Sequence, residues 1–206
     1  MGCKCLTCHW CGRKKPRRTV QTLCLKEVSS VSHRIHVYPH NDLLNLASYQ
    51  KGVIEQKLIE GIQDALALDC IACLISLAFS VEALVNFVGS KKVNDWVERQ
   101  PYLNKVNQVC QSVGLEFDRT QESYARIWEL KELRNSLAHG QPIETSTTAR
   151  NREELREAMQ CPWDEHLNPD YVFETYHAVK EFKRLLLEHG EIALGETLTS
   201  AFGQPV

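Results

Sequence analysis

The sequence predicts an all-α fold, an up-and-down bundle of four to five helices carrying a basic, cysteine-rich appendage at its N-terminus. Three observations lead there. Apolar residues recur at spacings of three and four through most of residues 41–190, the period of a helix face. Helix-start and helix-stop residues bracket those stretches. Alternation of period two is nearly absent, apart from β-branched residues between Val20 and Val37 that allow a short strand or two. The 206 residues, 43% of them hydrophobic, suffice for one buried core with appendages. The chain thus divides into an appendage at 1–40, a bundle at 41–190 and a loose tail at 191–206.

Each element has a local reason. Pro39 followed by Asn41-Asp42 starts the first helical run, which covers Leu43–Leu68 with Gly52 and Gly61 as weak points. Residues 69–88 carry Ile71, Leu74, Ile75, Ala78, Val81, Leu84, Val85 and Val88 on more than one face, the pattern of a central helix. Gly89-Ser90 is expected to end it. A shorter helix spans 101–113 and closes at Gly114. Asp118 with Gln121 resembles a capping box, and the next helix runs from about Arg119 to Ala138 with Ile127, Leu130, Leu133 and Leu137 as its stripe. Gly140 and Pro142 terminate it. Residues 141–167 are polar, with a short helix at Asn151–Met159. Asn168-Pro169 caps a last helix, striped by Val172, Tyr176, Val179, Phe182 and Leu186 and ended by Gly190.

Charge and cysteine content narrow the function. The formal net charge is -2, which excludes a uniformly basic nucleic-acid coat. Eight Lys/Arg stand against Glu27 alone in residues 1–40, so that segment is strongly positive and the remainder negative. Its run Lys14-Lys15-Pro16-Arg17-Arg18 suits electrostatic contact with RNA. The longest apolar run, Ile71–Val81, is too short for a membrane span and meets Glu82, and no secretory segment is read at the start. Five of the nine cysteines, Cys24, Cys70, Cys73, Cys110 and Cys161, are scattered in the manner of reduced thiols, and a cytoplasmic protein is expected. The other four, Cys3, Cys5, Cys8 and Cys11, are weak metal candidates: Cys8-x2-Cys11 is half a zinc knuckle, and its second half is missing unless Cys24 and His33 supply it.

The residues able to carry chemistry lie in Arg134-Asn135-Ser136-Leu137-Ala138-His139-Gly140. Arg-x4-His spacing decides nothing by itself, since Arg184–His189 repeats it and Arg34–His40 nearly does. Context separates them. Asn135 follows Arg134 directly, whereas Arg184 is followed by three leucines. Asn135 and His139 share a helix face. His139 ends the helix, where the dipole favours an imidazolium. An imidazole can move a proton, and a guanidinium fork can hold phosphate oxygens. That pairing suits attack of an RNA 2′-OH on phosphorus without a metal or other cofactor, and it spares DNA. Arg34–His40 with His33 and His36 lacks evident carboxylate or cysteine partners for a metal. Glu82, inside an apolar stretch, demands a partner or a raised pKa. Trp96, Trp128 and Trp163 read as core anchors.

Arg-Asn-x-Leu-Ala-His-Gly at the end of a late helix resembles the HEPN superfamily, over roughly residues 41–190. Arg134, Asn135 and His139 match its Arg-x(4–6)-His motif, and Ser80-x-Glu82 is similar to an acidic position near the arginine. The resemblance implies a homodimer with two motifs meeting in a cleft. It implies a metal-independent endoribonuclease of a toxin–antitoxin, antiviral-defence or RNA-processing system, sometimes paired with an antitoxin of nucleotidyltransferase type. Arg134, Asn135, His139 and Glu82 would then be its catalytic residues. The rival expectation is a non-catalytic module of the same fold that binds RNA, a nucleotide or a protein partner.

Overall fold

A computed structural model of the chain describes residues 32–204. Two short strands, β1 (Ser32–His36) and β2 (Ser200–Gln204), flank six helices: α1 (Pro39–Glu60), α2 (Leu66–Lys92), α3 (Tyr102–Ser112), α4 (Glu122–Ala138), α5 (Arg152–Ala158) and α6 (Pro169–His189). The predicted all-α class holds, with a helical bundle and this one small sheet.

Helix α2 is the axis of the molecule. It packs against α1, α3, α4 and α6, and fourteen of its residues are buried. By length and composition it is apolar enough to cross a membrane, although the uninterrupted run Ile71–Val81 is too short to do so. Here its surroundings are other helices: 61% of its most apolar window is buried in the fold. Ile127, Leu130 and Leu133 of α4 meet it from one side, and Val172, Val179, Phe182 and Leu186 of α6 complete the same core. Tyr176 and Leu137, placed in those stripes by the sequence, are only half buried.

Some boundaries differ from the sequence expectation. The run Leu43–Leu68 is two helices, because Gly61 takes φ 71° and Ile62 N–H donates to Lys57 O at 2.8 Å, a left-handed stop that glycine adopts without strain. Gly89-Ser90 does not end α2, which runs on to Lys92. Gly89 is there for packing: a Cβ on it would stand 2.6 Å from the Trp96 ring. Asp118 does not cap α4. Its carboxylate accepts from the N–H of Thr120 at 2.9 Å, a local turn that competes with helix, and α4 begins at Glu122. By contrast Asn168 caps α6 as expected, accepting from Tyr171 N at 2.9 Å, and Asn151, expected as the start of the short helix, caps α5 by accepting from Glu154 N at 2.8 Å.

The tail after Ala193 is not loose. It forms a 3-10 turn at Leu194–Thr197 and then β2, antiparallel to β1 with Ser32 opposite Gln204 and His36 opposite Ser200. A strand from the supposed appendage therefore joins one from the supposed tail. Thr197 is fully buried, and its carbonyl accepts from Asn41 Nδ2, tying the tail to the first turn of α1.

Candidate functional site

Arg134 sits on α4 where that helix meets α2. Leu130 and Leu133 bury beside it, which fixes the rotation of the helix and directs the guanidinium at Glu82 on α2. Arg134 Nη2 pairs with Glu82 Oε2, and Nη1 donates to Asn135 Oδ1 at 3.0 Å. The guanidinium also lies 5.8 Å from the Phe79 ring centroid. Glu82 is shared: its Oε1 accepts from Lys105 Nζ at 2.7 Å, and Lys105 reaches Asn86 Oδ1 at 3.4 Å. Lys105 is 3% exposed, whereas the Arg134 side chain keeps 21% of its surface open. One carboxylate thus serves two cations, and the cluster keeps one positive charge at the edge of the core.

The electrostatics follow from that imbalance. Burial by itself would raise the Glu82 carboxyl. The hydrogen bond and charge of Lys105, joined by Arg134, outweigh it and hold Glu82 below its usual range. Burial, and then the Glu82 charge, push the Tyr102 phenol well above its usual range, so it stays protonated.

His139 stands apart from this cluster. It is the C-cap of α4, with φ -111° and ψ 15°, and its N–H donates to Asn135 O at 2.9 Å. Its side chain is exposed and bonds to no other described residue. Five residues of helix turn Arg134 and His139 about 140° apart, while Asn135 and His139 are about 40° apart. The structure therefore brings Glu82, Arg134 and Asn135 together and leaves His139 one turn away on the Asn135 side. Lys105 was missed from sequence. Its signal was available, since Lys105, Val106, Val109 and Cys110 share the buried stripe of α3 and a charge in such a stripe needs a partner.

The other candidates resolve differently. Arg184 is held by Glu181 and Glu188 on its own helix. His36 Nδ1 lies 3.0 Å from the Tyr38 hydroxyl, and His40 is buried against Phe87. Among the described residues no group of three His, Cys, Asp or Glu is placed to hold a metal. Cys3, Cys5, Cys8, Cys11 and Cys24, and the basic run 14–18, lie outside the described residues. Cys70, Cys73 and Cys110 are buried free thiols, pushed by burial up to about 11, 12 and 12, so none is a ready nucleophile. The chain matches no family model, no curated protein and no solved structure in the three comparisons made.

Proposed function

We propose that this protein is a metal-independent endoribonuclease of the HEPN type, acting as a homodimer in the cytoplasm, as a toxin or defence effector. The observation that carries this reading is the Glu82–Arg134–Asn135 cluster. It holds a partly open guanidinium in one orientation with a surplus positive charge, one turn from an exposed histidine. Arg134 would bind the scissile phosphate and stabilise the charge that builds on it. His139 would take the proton of the attacking 2′-OH and return one to the leaving 5′ oxygen. Asn135 would orient both, and Glu82 with Lys105 would keep Arg134 in place. No cofactor takes part. An antitoxin, of nucleotidyltransferase type or another kind, would be the neutralising partner.

Because Arg134 and His139 leave the helix on different sides, a second copy gives the cleft its other wall. The α2 face next to Arg134 supports that. Leu68, Ala72, Ile75 and Phe79 follow one another at four, three and four residues, the spacing of a helix-pairing seam. Leu68 and Phe79 are 67% and 43% exposed.

The second reading rests on the same cluster. Arg134 is already engaged by Glu82 and Asn135, which fits a structural ion pair in a non-catalytic module that binds RNA, a nucleotide or a protein. One experiment separates the two. Wild type, His139→Ala and Arg134→Ala are incubated with RNA and DNA in excess EDTA, and the product ends are mapped. Cleavage of RNA alone, by wild type alone, with 2′,3′-cyclic phosphate ends, supports the nuclease. Intact RNA that is nevertheless retained on a filter by all three proteins sinks it.

A further inference from the structure

Away from Arg134, a cleft of about 620 Å³ opens between α6 and the turn that follows it, within the usual range for small-molecule sites. Lys180 and Lys183 stand three residues apart on α6 and so share a helix face. Among the described residues neither has a carboxylate within ion-pairing distance. The two acids of the same cleft, Glu181 and Glu188, share the one guanidinium of Arg184, so with both lysines counted the lining stays net positive. Arg184 donates to Glu181 from Nε at 2.8 Å and from Nη2 at 2.7 Å, and its Nη1 engages Glu188. Lys183 is half buried and fixed, its Nζ donating to Asn41 Oδ1 at 2.8 Å. Burial and then the Lys180 charge lower the Lys183 pKa, and after burial the Lys183 charge lowers that of His40, with Asp42 opposing it. The apolar part of the lining is Leu187, on the same face of α6, with Ile192 and Leu194 from the turn that follows, and Leu194 is left 67% exposed.

We infer that this cleft binds a small phosphomonoester, its dianion between Lys180 and Lys183 and its apolar or aromatic body on Leu187, Ile192 and Leu194. A dianion matches two ammonium groups that a single carboxylate would leave half neutralised. The uncovered leucine asks for a body attached to that phosphate. Nothing in this inference depends on RNA cleavage.

The test is calorimetric titration of the full chain with inorganic phosphate, phenyl phosphate and phenol, together with flotation on vesicles containing phosphatidic acid. Phenyl phosphate is expected to saturate one site per chain and to bind more tightly than phosphate, and phenol is expected not to bind. Lys180→Gln and Lys183→Gln should each weaken phenyl phosphate about tenfold, the size of one charge-assisted hydrogen bond. Lys183→Arg should retain binding, which guards against mere misfolding, and Arg134→Ala should retain it too. Lysine-dependent binding of phenyl phosphate assigns a soluble ligand. Lysine-dependent binding to vesicles alone assigns a lipid headgroup with the same chemistry. No binding in either arm overturns the inference, as does binding that survives the loss of both lysines.

Discussion

At the scale of single residues, Lys105 decides what Glu82 does. An ammonium 3% exposed needs its one carboxylate, whatever Arg134 contributes to chemistry. Glu82→Gln should therefore cost about 3 kcal/mol in urea unfolding, because it strands a buried charge. Arg134→Gln leaves Glu82 paired to Lys105 and should cost less than about 1 kcal/mol, in the range of a solvent-accessible pair. Equal losses in the two variants would show that Lys105 finds another partner. The thiols give a second check. Native protein should leave Cys70, Cys73 and Cys110 unlabelled by a maleimide, whereas half-exposed Cys161 reacts. At this scale Glu82, Arg134 and Asn135 were legible, because a carboxylate in an apolar helix and an arginine with an adjoining amide are both anomalies in a sequence. The separation of His139 from Arg134 was not: a motif gives spacing along the chain, and only the rotation of α4 in the core turns spacing into direction.

At the scale of elements, glycine shows how one residue type carries opposite information. Gly61 stops a helix, Gly89 sits inside one for contact, and Gly52 has no neighbour among the described residues within 4 Å of an added Cβ. Gly52→Ala should raise stability by about 0.5–1 kcal/mol, since it removes only the flexibility of the unfolded chain in an exposed helix interior. Gly89→Ala should lower it by about 1–3 kcal/mol, because Trp96 must move. Thermal unfolding of both variants tests the pair, and a stabilising Gly89→Ala would mean that Trp96 does not lie on α2. Helices with side-chain caps were legible from sequence, as Asn151 and Asn168 show. Helix ends set by tertiary contact were not, and neither was β2. Its partner strand lies more than 160 residues away, and five residues carry too little alternation to mark a strand.

At the scale of the whole molecule, the central helix made the fold class legible. Its apolar residues on several faces require other helices around it, and that requirement is readable before any contact is known. Acid stability is also a property of the whole. His40 is 2% exposed, and among the described residues neither ring nitrogen has a partner. Burial, and then the charge of Lys183, lower its pKa to about 4. Unfolded, the same ring takes up its proton near 6.5. Stability is thus complete above about pH 6.5 and declines as the pH falls to about 4, by on the order of 3 kcal/mol. Glu82 adds its loss only below the ordinary glutamate range, because its folded pKa is depressed. His40→Leu should flatten the decline between pH 6.5 and 4 and leave the steeper fall below it. An unchanged slope in that variant would place the titrating group elsewhere. The α2 seam predicts a dimer by light scattering at micromolar concentration and a monomer for Phe79→Asp; a wild-type monomer removes the paired cleft. The pairing of β1 with β2 has a mechanical consequence. Ser32 and Gln204 lie side by side at one end of the ribbon, so tension applied at these two residues opens the ladder one rung at a time, as a zipper, instead of shearing all its bonds at once. Under load the ribbon should peel at low force, while the bundle behind it holds until its own helices are pulled.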